Sequence, residues 1–250
     1  MGSLRVSVIV PTLNEEWTIV STLRDIIRQG AKEVIVVDGG SRDRTLALAE
    51  PLAHRVLTAE AGLARQLNQG AREATGDVLL FHFADLRLPE GGLEVIRNAL
   101  KRPEVVGGAF SLGFDSPRLA FRVIAFWANL RNRLGFGPFG DQAVFVRRET
   151  FESLRGYEPG TAFEDLDLVR RLKRVGRFVI VRPPVRSSVR RWEKDGLLTT
   201  TFRHWLASLH YLLGSRRKAR ALKLWLQKRR QKAVSGKKVP GSREGQRNVQ

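Results

Sequence analysis

Short apolar runs alternate with helix-like segments through the first half of the chain, and this alternation restricts the possible folds more than any other feature. The runs R-V-S-V-I-V (5–10), V-I-V-V (34–37) and D-V-L-L-F-H-F (77–83) have the composition of strands buried on both faces. Repeated strand–helix units with short connections predict a parallel sheet with right-handed crossovers. The sequence therefore predicts an α/β protein with a mainly parallel, Rossmann-like central sheet flanked by helices.

Further segments extend this pattern over most of the chain. Thr12 and Glu15 have the spacing of a capping box, which predicts a helix that follows the first strand and ends at Gly30. Apolar residues at helical intervals predict five more helices, and short apolar runs predict four more strands. The predicted helices are 42–50, 63–74, 118–134, 163–176 and 198–213, and the strands are 55–58, 105–114, 143–146 and 178–181.

Polar side chains follow three of the predicted strands. Ligands of such sheets bind beyond the carboxyl ends of the strands. Loop polarity alone explains any one of these positions, whereas all three together predict a binding crevice. The side chains are Thr12, Asn14 and Glu15 after the first strand, Asp38 and Ser41 after the second, and Asp85 after the fourth.

Composition excludes several classes of chemistry. The apolar fraction of 42% in 250 residues is sufficient for a sizeable core. The sequence has no cysteine, which excludes disulfides, thiolate nucleophiles and cysteine zinc sites. The start M-G-S-L-R-V-S-V-I-V leads directly into a strand, and we read the protein as cytoplasmic. Among the histidines, His82 lies in a buried strand and is assigned no role.

Positive charge is concentrated near the end of the chain. The net charge is +19, and the segment from Arg216 to Gln250 has 13 lysines and arginines but one acid. The basic amphipathic stretch 216–233 suits an anionic membrane surface, and the apolar, arginine-containing segment 118–134 adds to this pattern. A packed core helix with a solubilising tail is the alternative. No nucleic-acid recognition motif accompanies the charge, so nucleic-acid binding is not expected.

The segments V-S-V-I-V-P-T-L-N-E-E (6–16), V-V-D-G-G-S-R-D-R-T (36–45) and A-D-L-R-L-P (84–89) resemble the donor half of the family 2 nucleotide-sugar glycosyltransferases. G-D-Q-A-V-F-V-R-R, F-E-D-L-D-L-V-R-R-L and R-R-W are similar to its acceptor half. The resemblance is strongest to the bacterial subgroup of radical-SAM/selenodomain-associated transferases. It implies a GT-A domain over 1–213, with the donor half over about 1–115, the acceptor half over 116–213, and a basic tail over 214–250.

The resemblance implies a set of donor contacts in which Thr12, Glu15 and Asp38 touch the nucleoside. Asp38 has the alternative role of capping its turn. Because this chain has Asp38-Gly39-Gly40-Ser41 where the family often has Asp-Asp-Gly-Ser, UDP and GDP both stay open as donors. Spacing puts Arg65 and Asn68 on one helix face, where Arg65 contacts phosphate or is simply solvated. The full set is Pro11, Thr12, Glu15, Asp38, Arg65, Asn68, Ala84, Asp85, Arg190, Arg191 and Trp192.

Asp85 is also the predicted metal ligand. The family pattern D-x-D binds Mg²⁺ or Mn²⁺ on the donor diphosphate, and here the second acid is missing. A hard cation bound to a diphosphate needs few protein oxygens, so one aspartate can suffice. Arg87 is then expected to offset phosphate charge or to pair with Asp85, and a strict metal requirement stays open.

Asp165 is the general base that the resemblance implies, with Glu164 assisting. Acids in a first helical turn also complement the helix dipole, which is the structural alternative. Asp167 should point elsewhere and is treated as structural or secondary. Asp141 and Gln142 are predicted to bind the acceptor, although a plain turn is an equally good explanation of their composition.

These assignments predict an inverting glycosyltransferase that uses a UDP- or GDP-sugar and a small-molecule or lipid-linked acceptor. Ser188 stands where processive relatives have glutamine before R-R-W, so processivity is not implied. The rival readings are a sugar-nucleotide nucleotidyltransferase and a catalytically impaired protein that binds a nucleotide sugar or a membrane surface. The first rival lacks its expected Gly-rich, basic phosphate loop after the first strand.

Overall fold

The strands predicted from the apolar runs form one sheet. A computed structural model describes residues 3–161 and 163–190, and within them the sheet has eight strands. All of these residues belong to a compact unit, Met1–Thr201, and the remaining unit, Phe202–Gln250, is outside the described residues. The strands are β1 (Val6–Thr12), β2 (Glu33–Asp38), β3 (Arg55–Thr58), β4 (Val78–Phe81), β5 (Leu86–Arg87), β6 (Val105–Phe114), β7 (Phe145–Arg147) and β8 (Arg177–Ser187).

The sheet is mixed, with a parallel donor side. Its strand order is β3-β2-β1-β4-β7-β6-β8-β5. The first four strands in this order are parallel neighbours, and β6 and β8 form a further parallel pair. Strand β7 lies antiparallel between β4 and β6. This confirms the predicted α/β fold, and it joins the predicted donor half to the predicted acceptor half through one short strand.

Seven α-helices flank the sheet within the described residues. Two of them, and strand β5, were not predicted; all three elements are short. The predicted helix over 198–213 lies outside the described residues. The helices are α1 (Ile19–Arg28), α2 (Thr45–Ala49), α3 (Leu63–Glu73), α4 (Gly92–Ala99), α5 (Leu119–Arg133), α6 (Arg148–Ser153) and α7 (Glu164–Val175).

Strands β1, β2 and β4 are buried on both faces, as their continuous apolar runs predict, whereas the edge strand β3 is partly exposed. Val8 and Val10 of β1 pack with Leu23 of α1 in one cluster, whereas Ile9 packs with Leu67 of α3 in another. Each such side chain contributes about 1.5–3 kcal/mol by its removal from water. Two core layers therefore hold the carboxyl edge of β1 and β2 rigidly between them.

The predicted capping box at Thr12 is wrong. Strand β1 continues to Thr12, which pairs with Asp38 of β2, and helix α1 begins only at Ile19 with Thr18 as its N-cap. The intervening residues form a turn in which the Glu15 carbonyl accepts the N–H groups of Thr18 and Ile19. The strand pairing outweighs the local capping signal, and it leaves Thr12 at the carboxyl edge of the sheet.

No helix among the described residues combines the length and apolar character that crossing a membrane requires.

Candidate active site

Asp38 organises the loop at the end of β2. Its side chain is fully buried, and Oδ2 accepts the backbone N–H groups of Gly40 at 2.8 Å and Ser41 at 2.7 Å. Oδ1 accepts the hydroxyls of Thr12, at 3.1 Å, and of Ser41. Gly40 has φ +96°, a conformation that favours glycine. The geometry is that of the turn-capping alternative, and direct contact with a nucleoside stays a prediction.

Gln66 of α3 supports this edge and was not predicted. Its side chain is buried, and Nε2 donates to the carbonyls of Thr12 and Val37, both at 2.9 Å. A Cβ at Gly39 would lie 3.0 Å from the Gln66 amide, so the loop approaches α3 closely. The sequence signal is weak, because a single glutamine on a helix is usually exposed.

Glu15 and Arg190 connect the two halves of the chain. Arg190 Nη2 donates to Glu15 Oε2 at 3.2 Å, and the Thr18 hydroxyl donates to the same oxygen at 3.0 Å. The Glu15 side chain is 7% exposed and that of Arg190 43%. The structure thus brings these two predicted donor-site residues together, whereas Arg191 and Trp192 lie outside the described residues.

Arg65 and Asn68 do not converge on one point. Arg65 Nη1 binds Glu60 Oε2 at 2.5 Å in an exposed ion pair. Asn68 Oδ1 accepts the Tyr157 N–H at 2.9 Å, and Nδ2 donates to the Tyr157 carbonyl at 2.8 Å. The Asn68 amide is therefore used to hold the Tyr157 segment against α3, which argues against its predicted donor contact. The spacing of three residues could not reveal this long-range use.

Asp85 lies in the turn between β4 and β5. It lines a cleft of about 180 Å³ together with Thr18, Arg87 and Arg186, and its carbonyl accepts the Ser188 N–H at 3.0 Å. Its neighbour Ala84 is buried, and the Ala84 carbonyl accepts the Thr22 hydroxyl at 2.7 Å. Ala84 thus anchors the turn to α1. Pro11 is buried within β1 and likewise has a positioning role.

Asp141 lies within electrostatic reach of the acids of two other motifs, Asp85 and Asp165. Burial raises the pKa of Asp141 to about 6; the Arg131 guanidinium opposes this rise, and the charges of Asp165 and Asp85 add to it. Asp85 comes from the donor half, whereas Asp141 and Asp165 come from the acceptor half. Strand β7 makes this meeting possible, because it returns the chain beside β4 directly after the Asp141 turn.

Asp165 is fixed at the start of α7. Its Oδ2 accepts the backbone N–H of Gly140, which precedes Asp141 in a 3-10 turn over Gly140–Gln142. Glu164 is buried beside it. Asp167 instead binds Arg171 Nε at 2.9 Å, and this arginine also donates to the carbonyls of the preceding loop. Its contacts are structural, in line with the secondary role predicted for it.

Arg131 of α5 is a site residue that the sequence did not single out. Its guanidinium lies 3.9 Å from the centre of the Phe139 ring. Burial lowers its pKa, and the charges of Asp141 and Asp165 counteract that effect. Arg131 therefore offsets the repulsion between two carboxylates. The segment 118–134 contains several arginines, and no spacing rule distinguishes the one that faces inward.

Several buried polar atoms around this cluster have no hydrogen-bond partner among the described residues. Gln142 is fully buried and donates to the Phe110 carbonyl at 2.8 Å, but its Oε1 is unpaired. Leaving such a group unpaired costs about 1–3 kcal/mol. A cluster of them indicates a place that water or a polar ligand completes. The other atoms are Arg131 Nε, Asn132 Oδ1 and Nδ2, and Asp141 Oδ1.

The side chains near Asp85 offer few ligands to a divalent metal. The described residues contain no group of three or more acidic, histidine or cysteine side chains arranged to hold a metal ion. Phe83 and Arg87, two residues before and after Asp85, are not acids. A cation at this place would take most of its ligands from a bound diphosphate, and Asp85 as its protein ligand stays a prediction.

Residues 7–154 match the family described as Glycosyl transferase family 2. The chain belongs to this family. Membership confirms the resemblance noted in the sequence motifs, while the radical-SAM-associated subgroup stays a prediction.

Curated relatives match parts of the chain. A dolichol-phosphate mannosyltransferase from Pyrococcus furiosus is 35% identical over 107 residues, which are 39% of this chain and 30% of the relative. A glucosyl-3-phosphoglycerate synthase from Mycolicibacterium smegmatis is 29% identical over 130 residues, 42% of this chain and 43% of the relative. The chain thus spans less than half of the length of either relative.

Solved structures confirm the fold. A mannosyltransferase from Pyrobaculum calidifontis in complex with GDP-Man and Mn²⁺ is similar with a TM-score of 0.56 at 25% identity, covering 75% of this chain and 57% of that one. A glucosyl-3-phosphoglycerate synthase from Mycobacterium tuberculosis, with Mn²⁺, UDP and glucosyl-3-phosphoglycerate, gives 0.58 at 22% identity, covering 83% and 79%. The GT-A fold expected from the motifs is therefore correct.

Proposed function

We propose that the protein is an inverting glycosyltransferase that moves a sugar from a nucleoside-diphosphate sugar to an acceptor hydroxyl. The observation that carries the proposal is the hydrogen bond that joins the Asp141 turn to Asp165, with Arg131 and Asp85 within electrostatic reach of Asp141. Donor and acceptor must meet where the sugar is transferred, and these residues come from both halves of the chain. Family membership supports the reaction class.

Asp165 has the geometry of a general base. In a single displacement the acceptor oxygen forms a bond to C1 of the sugar, the bond from C1 to the phosphate oxygen breaks, and its electron pair leaves with the nucleoside diphosphate. The acceptor proton passes to Asp165. The Gly140 N–H fixes Oδ2, and the position of Asp165 in the first turn of α7 fixes the direction of the carboxylate that would act as the base.

The donor side would use the edge formed by β1, β2 and the Asp85 turn. A divalent cation such as Mg²⁺ or Mn²⁺, bound with the donor, would neutralise diphosphate charge, and Asp85 would hold it. Arg87 and Arg186 line the same cleft as Asp85 and add positive charge there. The Glu15–Arg190 ion pair would close this edge from the acceptor half. The proposal keeps both nucleotides that the sequence left open, UDP and GDP. The Pyrobaculum relative binds GDP-Man, which supports GDP.

The acceptor side would use the Asp141 turn. Asp141 Oδ1 and the neighbouring unpaired atoms of Arg131 and Gln142 can hydrogen-bond sugar or acceptor hydroxyls. Asp141 is also the second candidate for the base, because burial raises its pKa to about 6, near the range in which general bases work best. The acceptor is a small molecule or a lipid-linked hydroxyl.

The base assignment predicts that Asp165→Asn lowers turnover by about 10²–10⁴-fold while donor binding persists. The amide keeps the shape of the side chain and loses its basicity. Slow transfer of the sugar to water measures turnover without a known acceptor, and a thermal-shift titration with UDP- and GDP-sugars measures binding. Glu164→Gln is the matched variant and should cost less, because Glu164 assists.

The anomer of the released sugar, read by NMR before it equilibrates, tests inversion in the same reaction. Near-wild-type turnover of Asp165→Asn excludes it as the base and favours Asp141. Binding of a donor without turnover in the wild type favours the catalytically impaired alternative. Release of pyrophosphate from a nucleoside triphosphate and a sugar phosphate favours a nucleotidyltransferase.

We also propose that the chain divides into a transferase domain over 1–213 and a tail over 214–250, and that the protein is cytoplasmic.

A further inference from the structure

Helix α5 carries a row of large apolar side chains on its outer side. Each side chain in the row is between 47% and 70% exposed. The second follows the first after four residues, the next two follow after three and four more, and the last follows these two after eight and seven. This spacing puts all five on one side of an α-helix. The rings of Phe126 and Trp127 touch edge to face, with centroids 5.8 Å apart. The row, which we call the α5 stripe, consists of Leu119, Val123, Phe126, Trp127 and Leu134.

The opposite side of α5 is firmly packed. Phe121 is 2% exposed in a cluster with Leu112 and Phe114 of β6. The Asn129 side chain accepts the Leu112 N–H and donates to the Leu112 carbonyl, both at 2.9 Å. The helix is therefore held in a fixed rotation, so the stripe cannot turn inward. A contiguous apolar surface of this kind marks an interaction site.

The charges of α5 indicate what covers the stripe. The helix contains three arginines and no acid. Arg131 faces the acid cluster, whereas Arg122 and Arg133 are exposed. At 3.6 residues per turn, both lie along the edge of the stripe next to Phe126. Aromatic and aliphatic side chains bordered by arginines are the composition of helices that lie in the interface of an anionic bilayer. The net charge of +19 favours the same surface.

We propose that the α5 stripe inserts into the headgroup region of an anionic lipid bilayer, with Arg122 and Arg133 contacting lipid phosphates. This proposal does not depend on sugar transfer, because membrane binding needs neither donor nor acceptor. It has a consequence for the acceptor, however. Phe136, 44% exposed, follows the stripe along the chain, and Phe139, three residues later, contacts the Arg131 guanidinium. The same helix thus carries the stripe and Arg131, so a hydroxyl carried by a lipid is the acceptor that this surface favours.

The test uses the full-length protein and sedimentation with vesicles of phosphatidylcholine alone or with one quarter phosphatidylglycerol. We expect binding to the anionic vesicles and much weaker binding to the neutral ones. The double variant Phe126→Gln/Trp127→Gln should lose about tenfold or more in vesicle affinity, because two inserted rings are removed. Trp17→Gln is the matched control: Trp17 is 76% exposed outside α5 and should not affect binding.

The basic segment after Arg216 can bind anionic vesicles by charge alone, so insertion is measured separately. Lipids brominated along the acyl chain quench an inserted tryptophan, and Trp127→Phe should remove most of the quenching seen in the wild type. Arg122→Gln/Arg133→Gln should weaken binding and reduce its dependence on salt.

Three results would overturn the proposal. The first is unchanged vesicle binding by the Phe126/Trp127 double variant. The second is equal binding of the wild type to neutral and anionic vesicles. The third is a dimer that forms without lipid and is lost in the double variant, because a second copy of the chain would then cover the stripe. Thermal melts of each variant verify that the fold is retained.

Discussion

At the scale of single residues, the candidate site is a balance of charges that are removed from water. Asp141 is the clearest case, because burial raises its pKa to about 6 and Arg131 alone among its named neighbours opposes that rise. A buried carboxylate with a raised pKa destabilises the folded protein when it is ionised. Such groups are found where ligand binding or catalysis uses them. The same cluster leaves Arg131 Nε and Asp141 Oδ1 without partners among the described residues.

The raised pKa of Asp141 makes stability depend on pH. Its value in the folded state, about 6, lies above its ordinary value of 3.8, so the folded state binds the proton more tightly. Its contribution to stability is thus fully present below about pH 4 and is lost as pH rises through about 6. Asp141→Asn should raise the free energy of unfolding at pH 7.5 by about 1–3 kcal/mol and have little effect at pH 4.

Urea unfolding of wild type and variant across pH 4–8 checks this prediction. The difference between the two proteins is the informative quantity, because burial also lowers the pKa of His82 to about 4 and gives a trend of opposite sign in both. If the free energies of unfolding of the two proteins differ by the same amount at every pH, burial does not raise the pKa of Asp141.

Arg131 should control the protonation of the acid cluster. Arg131→Gln removes the cation that opposes the raised pKa of Asp141, so the cluster holds a proton at higher pH. We expect donor turnover to fall by about tenfold or more at pH 6.5 and to recover partly at pH 8. The pH dependence of kcat/KM checks this. A purely structural role would give the same loss at every pH, and Arg174→Gln, an exposed arginine of α7, is the control.

At the scale of elements, the sequence predicted what depends on local periodicity and missed what depends on distant partners. The buried runs predicted β1, β2, β4 and β6 because both of their faces are covered by apolar residues. Strand β5 has two residues and exists through its pairing with β8, where Leu86 lies opposite Ser187. Helix α4 has only two large buried side chains, Leu93 and Ile96, which is too few to establish a helical period.

The same distinction explains the site. The strand-end positions of Asp38 and Asp85 follow from the alternation of elements, and their place at one edge of the sheet could be predicted. The use of Asn68 by Tyr157, 89 residues away, could not be. Nor could the inward direction of Arg131, because helix α5 has apolar side chains on both its packed and its exposed sides.

Helix α3 contributes to the site through Gln66, and this predicts a stability difference between two glutamines. Gln66→Leu removes the side-chain donor of the Thr12 and Val37 carbonyls at the ends of β1 and β2, while the Thr12 carbonyl still accepts the Gly39 N–H at 2.9 Å. Loss of these buried hydrogen bonds should lower the free energy of unfolding by about 1–3 kcal/mol, and nucleotide affinity should fall with it. Urea unfolding and a nucleotide titration measure both effects.

Gln69→Leu is the matched control on the same helix. Gln69 Nε2 makes a single, exposed hydrogen bond to the Thr58 carbonyl at 3.0 Å, and its loss should cost less than 1 kcal/mol, roughly the net value of one such bond. Equal losses in the two variants would mean that Gln66 does not brace the strand ends.

At the scale of the whole molecule, the sheet topology joins two halves that the motifs describe separately. The parallel strands β3, β2, β1 and β4 carry the predicted nucleotide loops, and β7 then reverses direction and connects them to β6 and β8. The Glu15–Arg190 ion pair spans 175 residues across the same junction. Asp85 follows β4, the strand that pairs with β7 at this junction, and it lies within electrostatic reach of Asp141.

This position determines what the loss of Asp85 should do. Asp85→Asn removes a negative ligand that lies within electrostatic reach of Asp141, and it leaves Arg87 and Arg186 in the cleft. If Asp85 holds a cation on the donor diphosphate, activity of the variant should require a higher Mn²⁺ or Mg²⁺ concentration, by about tenfold or more. Nucleotide binding without metal should change little, because the cation is not needed for the base and ribose contacts.

Metal titrations of donor turnover, alongside metal-free nucleotide titrations, separate the two effects. Asp115→Asn, at an exposed acid of the same cleft, is the control. Activity of the wild type that is independent of divalent metal would disprove the ligand role, and Arg65, Arg87 or Arg190 would then have to stabilise the leaving diphosphate.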